Sequence, residues 1–143
     1  MSFGNTFEND LMKLIFQGTA IANIADNAAS SPPTNLYVSL HTADPGEAGD
    51  QTTSEATYSS YTRVAVSRDS GGWTVTGNAV TNAALIQFPQ ATGGTNTITH
   101  FAIGTAASST GKVLARGALS ASLAVSSGIQ PQFAAGDLDG SID

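Results

Sequence analysis

Apolar residues near the N-terminus recur at steps of three and four, the spacing that places side chains on one face of a helix. Asn5 or Thr6 can cap the first turn, and Glu8 and Asp10 lie where the helix dipole favours acidic side chains. The pattern predicts an amphipathic helix over residues 1–27, followed by a Ser- and Pro-rich linker over residues 28–35. The apolar positions are Phe7, Leu11, Leu14, Ile15, Gly18, Ile21, Ala22 and Ala25.

From residue 36 onward the hydrophobic period changes from helical spacing to strict alternation, which indicates half-buried strands. Six to eight short segments of this kind follow one another, separated by turns rich in Gly, Pro, Asn and Asp. They predict a mainly β fold: an antiparallel β-sandwich or jelly-roll-like domain over residues 36–135, preceded by one N-terminal helix. Residues 136–143 are predicted to form an acidic C-terminal tail. With 143 residues, the chain is expected to form a single domain.

The charge composition excludes several classes of function. Only 11% of the residues are charged and the net charge is −6, whereas ordinary soluble domains contain about 25% charged residues. An acidic chain with five basic residues lacks the positive surface that nucleic acids require. The absence of cysteine excludes disulfides and thiolate metal sites. No secretory signal or apolar run long enough for a membrane helix is visible, so neither nucleic acid nor membrane is predicted as a partner.

The candidate catalytic and metal-binding motifs fail on closer reading. His41 and His100 lie within predicted strands, and no nucleophile elbow accompanies them. The segment 104–113 resembles a phosphate loop, but six residues separate its glycines and Val113 replaces the magnesium-binding hydroxyl. The acidic segments 44–55 and 137–143 could bind calcium, yet solvated or partner-facing segments are favoured because their spacing does not fit a calcium loop. No catalytic, cofactor-binding or metal-binding residue is therefore predicted, and the chain is not expected to be an enzyme.

Several sequence segments along the chain resemble a known family. They are LYVSLHTADPG from Leu36, Y-x-R-V-x-V from Tyr61, GW-x-V-x-GN from Gly72, FP at Phe88, ITHFAIGTA from Ile98, and G-I-x-P-x-FAAG from Gly128. Together they resemble a family of small virion proteins of tailed bacteriophages, often described as tail-fibre, minor structural or head decoration proteins. The resemblance implies a non-enzymatic structural protein of the virion that is made in the cytoplasm of the host bacterium.

The resemblance leaves the position in the virion open. A small β domain with a terminal helix suits a capsid decoration (cement) protein that binds the major capsid protein, with a homotrimer favoured. The alternative is a tail component, such as a fibre-base or adaptor protein. A carbohydrate-binding receptor module is less favoured, because Trp73 is the only tryptophan and its strand pattern indicates a core position.

The hypothesis for an interface rests on the helix. Its apolar face is expected to pack on the β domain or on a neighbouring subunit, and the residues named for this role are Leu11, Leu14, Ile15 and Ile21. The nearly uncharged strands also suit close packing against sister subunits, since few charges would lose water there.

Overall fold

The computed structural model describes residues 5–21 and 32–142. One helix, α1 (Asn5–Met12), continues directly into a π-helical segment, Lys13–Gln17. Nine strands follow in the described residues: β1 Asn35–His41, β2 Val64–Ser67, β3 Trp73–Thr76, β4 Ala79–Asn82, β5 Ile86–Gln87, β6 Asn96–Gly104, β7 Val113–Val125, β8 Gln132–Phe133 and β9 Asp139–Ser141. The predicted class, mainly antiparallel β structure after an N-terminal helix, is confirmed.

The helical region ends at Gln17, earlier than the predicted residue 27. Gly18 takes a left-handed conformation with φ of +66°, which stops the helix, and the Thr19 N–H donates back to Lys13 O at 3.1 Å. Arg68 covers the exposed carbonyls of this end: its Nε donates to Ile15 O at 2.7 Å and its Nη2 to Leu14 O. The predicted helical residues 22–27 and linker residues 28–31 lie outside the described part of the chain.

A four-stranded antiparallel sheet has the strand order β2-β1-β6-β7. Strands β1 and β6 pair over five residues, with Val38 opposite Ile103 and His41 opposite His100. Leu36, Val38 and Leu40 are buried, as the alternation predicts, but Ser39 and His41 on the other face are buried as well. The central strand β1 is therefore covered on both faces along most of its length, which the alternating pattern does not indicate.

A three-stranded sheet has the order β3-β4-β9 and contains the C-terminal segment. Asp139–Ser141 pairs with β4, where Gly140 lies opposite Val80. Residues 139–141 of the predicted acidic tail therefore form a strand of this sheet. A buried side chain explains the docking: Asn82 Nδ2 donates to Ala84 O at 2.8 Å and to Ala134 O at 2.7 Å, and its Oδ1 accepts from Leu138 N–H at 2.9 Å.

The chain forms two compact units. The first comprises Met1–Asn35, Ser67–Ile86 and Phe133–Asp143, and the second comprises Leu36–Val66 and Gln87–Gln132. The single domain predicted for residues 1–143 remains a prediction. In the described residues, no helix has the length and apolar character needed to cross a bilayer.

Candidate functional site

The acidic loop, residues 42–57, folds back onto the end of β1 in the second unit. Ala56 N–H donates to Leu40 O at 2.8 Å, and Thr42 N–H donates to Ser54 O at 2.8 Å. The sequence favours a solvated or partner-facing loop here, whereas the structure shows a loop whose main chain is bonded to the preceding strand. Its position is consequently fixed by the sheet.

Gln51 fixes the middle of the acidic loop from inside the unit. Its side chain is fully buried, with Nε2 donating to Tyr37 O at 3.4 Å and Oε1 accepting from Ala106 N–H at 2.9 Å. The carboxamide occupies the space beside two glycines. A Cβ added at Gly104 would lie 2.2 Å from Gln51 Cδ, and one added at Gly111 would lie 2.2 Å from Gln51 Oε1. Glycine is required at both positions because the Gln51 side chain approaches so closely.

Glu55, near the end of the acidic loop, forms a bidentate ion pair with Arg63. Arg63 Nε lies 2.7 Å from Glu55 Oε1, and Nη2 lies 2.8 Å from Oε2. The remaining guanidinium donors reach Ala106 O at 2.9 Å and Ser109 O at 2.7 Å. The hydrogen bonds that Arg63 donates to Glu55 raise the pKa of Arg63 above its ordinary value. One side chain thus joins the acidic loop to the loop between β6 and β7.

Tyr61 completes this buried polar group. Its hydroxyl donates to Glu55 Oε1 at 2.9 Å and accepts from Leu40 N–H at 3.1 Å. Burial raises the pKa of Tyr61 far above its usual range, so the phenol stays protonated. Its ring packs edge-on against Tyr58 at 5.3 Å and stacks at 6.2 Å on Phe88. These aromatic contacts fix the position of Tyr61, and its hydroxyl in turn fixes Glu55 and the main chain at Leu40.

His41 is fully buried, with both ring nitrogens engaged. Nδ1 donates to Thr53 O at 2.9 Å, and Nε2 lies 2.9 Å from Ser39 Oγ. Burial lowers the pKa of His41 below its usual value of 6.5, which favours the neutral ring. His100, the other histidine, bonds to Thr99 Oγ1 at 2.9 Å. The sequence interpretation of both histidines as strand residues agrees with these positions.

The exposed carboxylates of the acidic loop lie near a basic residue of β7. Arg116 Nε is 3.2 Å from Asp44 Oδ1, and Arg116 Nη2 is 2.7 Å from Glu47 Oε1. Such surface pairs contribute only about 0–1 kcal/mol each. In residues 5–21 and 32–142, no group of three or more His, Cys, Asp or Glu residues is placed to hold a metal ion. The loop carboxylates bind arginines of the same chain instead.

The predicted interface residues do not form one face of the helix. Ile21 is 8% exposed and packs inside the chain, whereas Leu11, Leu14 and Ile15 are half-buried. The fully packed helix positions are others, namely Glu8, Met12 and Phe16. The change to π-helical geometry after Met12 alters the angular spacing, so the regular 3.6-residue pattern does not identify the packed side.

Contacts with β3 explain which helix residues are packed. The Phe16 ring meets the Trp73 ring edge-on at 5.1 Å, and Gln17 Nε2 donates to Trp73 O at 3.1 Å. Asn9 Nδ2 adds a bond to Gly77 O at 2.9 Å. Trp73 is 1% exposed, which confirms the core position indicated by its strand pattern. A carbohydrate-stacking role for this side chain is not available in this arrangement.

Three structurally important polar residues are missed by sequence reasoning: Gln51, Arg68 and Asn82. Each is held by main-chain groups remote in sequence, and no local motif marks such partners. The glycines Gly104, at the end of β6, and Gly111 are the nearest signal for Gln51, since close approach of another group is one reason for glycine. For Asn82, a polar residue in the apolar context of β4 is the only sign.

Comparison with known proteins places the chain in a family. No curated protein matches it. A family model described as "Podophage GP4 fiber I protein gp80" matches residues 2–141. The resemblance noted from the sequence is confirmed at the level of a phage virion protein, and the sequence motifs themselves are not tested by this match. Because the match covers nearly the whole chain, this protein belongs to the podophage GP4 fiber I protein family and is a structural protein of a phage virion.

Proposed function

We propose that this protein is a non-enzymatic component of a phage tail fibre. The observation that carries the proposal is the match to a fibre protein family over residues 2–141. It favours the tail alternative over the capsid decoration role that the sequence analysis prefers. Decoration of the head, with the major capsid protein as partner, has no support from this match and is not retained.

The arrangement of polar side chains supports a structural role. In the second unit, Tyr61 and Arg63 both donate hydrogen bonds to Glu55 Oε1. His41 Nδ1 donates to the carbonyl oxygen of Thr53. A general base must reach a substrate proton, directly or through one water. The buried histidine has both ring nitrogens in hydrogen bonds, and the Glu55 carboxylate binds the Arg63 guanidinium. These hydrogen bonds fix the loops in position, which is consistent with a structural role.

A fibre protein associates with other virion proteins, and the helix supplies a surface for this. Leu11, Leu14 and Ile15 are half-buried, whereas Met12 and Phe16 of the same helical region are buried. We assign these three leucine and isoleucine side chains to contact with a neighbouring virion protein. Ile21, also named from the sequence, lies inside and is not part of this surface. We retain a homo-oligomer in the proposal. The homotrimer is not retained, because it follows only from the capsid decoration role.

Stoichiometry in purified virions tests the tail assignment. Quantitative mass spectrometry gives the ratio of this protein to the major capsid protein and to the tail proteins. A fibre component is expected at a ratio close to that of the tail proteins, and gold-labelled antibody should bind at the tail. A ratio close to that of the capsid protein, with label over the head, would overturn the proposal.

The helix surface is tested by a paired substitution. Leu11→Ser with Leu14→Ser should lower the melting temperature of the isolated protein by less than Phe16→Ala does, because both leucines are half-buried whereas Phe16 is buried. Incorporation into virions should fall when the variant is supplied in place of the wild type. Full incorporation would remove the helix from the proposed interface.

A further inference from the structure

Strand β7 forms an open edge of the four-stranded sheet. It is the last strand in the order β2-β1-β6-β7, and within residues 5–21 and 32–142 it pairs with β6 alone. At 13 residues it is the longest strand of this part of the chain. The outer main-chain groups of an edge strand are a template for pairing with another strand. Natural proteins usually protect such an edge with lysine, proline or a covering segment.

The middle of β7 is also separated from β6. Ile98 lies opposite Leu123 and His100 lies opposite Ala118, so the ladder skips the four residues Leu119–Ser122 of β7. These residues form a bulge without Cα partners on β6. Around the bulge, the exposed positions are Ala118, Ser120, Ala121, Ser122 and Ala124. A bulge usually discourages pairing at a sheet edge. Here, however, residues 119–122 have no partner on β6, so another strand could pair with them.

The exposed segment is symmetrical in sequence. Residues 118–124 read Ala-Leu-Ser-Ala-Ser-Leu-Ala, which is the same in both directions and is centred on Ala121. When two antiparallel copies are related by a two-fold axis, residue i of the first copy lies opposite residue j of the second, and residue j of the first lies opposite residue i of the second. Centred on Ala121, such a pairing would place Ser120 opposite Ser122 and Leu119 opposite Leu123. Every cross-strand pair would then join two residues of the same type.

Charge favours a second copy of this chain as the occupant. Each chain carries a net charge of −6, so two copies repel unless the surfaces that meet lack carboxylates. Residues 117–136 contain no charged side chain. The one charge on β7 is Arg116, which lies against Asp44 and Glu47 of its own chain. Two copies can therefore meet at residues 118–124 without removing a charge from water.

We propose that residues 118–124 of β7 pair antiparallel with the same residues of a second copy, about a two-fold axis at Ala121. The contact is a homodimer that joins two four-stranded sheets edge to edge. It is independent of the position of the protein in the virion, because it is a property of the isolated chain. Failure of the tail assignment would leave it untouched, and the reverse also holds.

Two double variants test both the dimer and its register. Ser120→Lys with Ser122→Lys places lysine opposite lysine twice, whereas Ser120→Lys with Ser122→Glu places lysine opposite glutamate twice. Like charges directly opposite each other destabilise a strand pair, so the first variant should weaken the dimer by about tenfold. The second should keep wild-type affinity or exceed it. Sedimentation equilibrium gives the dissociation constants, and thermal melting verifies that both variants fold.

Cysteine cross-linking gives a second readout that does not depend on charge. The chain has no cysteine, so Ala121→Cys introduces one thiol, which the two-fold axis would bring close to its counterpart. Directly opposite residues in antiparallel strands have Cα atoms about 4.5–5.5 Å apart, within the range of a disulfide. Mild oxidation should rapidly give a covalent dimer. Ser127→Cys, also exposed in the same unit, is the control and should cross-link slowly.

The outcomes separate cleanly. A wild-type dimer that the lysine pair weakens, the lysine–glutamate pair preserves and Ala121→Cys captures would support the proposal. A wild-type chain that stays monomeric at about 0.1 mM would overturn it. So would an oligomer that both double variants weaken equally, or one that neither variant changes, because the contact would then lie elsewhere.

Discussion

Arg63 donates to both carboxylate oxygens of Glu55, at 2.7 and 2.8 Å, in a site where the arginine side chain is only 2% exposed. The same guanidinium also binds the carbonyls of Ala106 and Ser109. A single residue before β2 therefore holds two separate loops of the second unit. The pair acts as a conformational lock, since its geometry is satisfied only when both loops are in place.

Removal of Glu55 should be strongly destabilising. Glu55→Ala leaves the Arg63 charge buried without its partner, which costs about 3–5 kcal/mol. Urea-induced unfolding gives the change in free energy of unfolding. Glu47→Ala is the matched control, because Glu47 pairs with Arg116 while its side chain is 95% exposed; its effect should stay within about 0.5 kcal/mol. Equal losses in the two variants would contradict the structural role of the buried pair.

Asn82→Ala should release the C-terminal strand. The substitution leaves the carbonyls of Ala84 and Ala134 and the N–H of Leu138 without a side-chain partner, at a cost of about 2–4 kcal/mol. Hydrogen exchange of the amides in residues 136–142 should accelerate relative to those of β6. Asn9→Ala removes one exposed bond to Gly77 O and should cost under about 1 kcal/mol. Unchanged exchange at residues 136–142 in the first variant would show that β9 docks by other means.

Phe16 and Leu14 should respond very differently to the same truncation. Phe16→Ala removes the ring that packs on Trp73 and should cost about 3–5 kcal/mol. Because Trp73 is the only tryptophan, its fluorescence should shift to longer wavelength as the cavity admits water. Leu14→Ala, at a half-exposed position, should lose much less stability and leave the emission unchanged. Similar emission shifts in both variants would place Leu14 in the core as well.

Acid should destabilise the protein through His41. Its pKa is lowered in the folded state by burial, so as the pH falls through 6.5 the unfolded chain takes up a proton that the folded chain does not. The free energy of unfolding should therefore fall between pH 7.5 and 5.5, by up to about 1.4 kcal/mol per pH unit for one proton. His41→Gln should flatten this dependence.

The other histidine is the control for the pH measurement. His100→Gln retains His41 and its bond to Thr53 O, so the dependence on pH should persist. If His100→Gln removes the slope and His41→Gln preserves it, the assignment to the buried ring is wrong. Restricting the range to pH 5.5 and above keeps the titration of ordinary carboxylates outside the measurement.

The observed bounds of β1 and β7 show which features of a strand the local hydrophobic pattern predicts and which it does not. The alternation that begins at Leu36 gives β1 nearly to the residue, because side chains in a strand alternate between two faces whatever the partner strand is. Residues 113–125 form one long strand, β7, with a bulge in its middle. The bulge depends on the register of β7 with β6. Register is set by how two strands pair, so the sequence of one strand does not specify it.

The candidate surfaces show the same division. The apolar spacing correctly places a helix before the strands, but it does not single out Phe16, which is buried against Trp73. The change to π-helical geometry and the position of Trp73 decide which residues are buried. Arg63 and Arg116 both pair with carboxylates of the acidic loop. Which carboxylate each arginine meets depends on how the loops fold.

Three properties of this protein can be deduced from the sequence alone: a helix followed by strands, a low content of charged residues, and membership of the podophage GP4 fiber I protein family. Hydrophobic periodicity, composition and sequence motifs suffice for these. Only the tertiary structure shows that Gln51 and Asn82 hold distant main-chain groups and that β7 lies at an open edge. The physical reason is that buried hydrogen bonds and strand order depend on contacts between residues far apart in the chain, and no local pattern encodes which distant group will arrive.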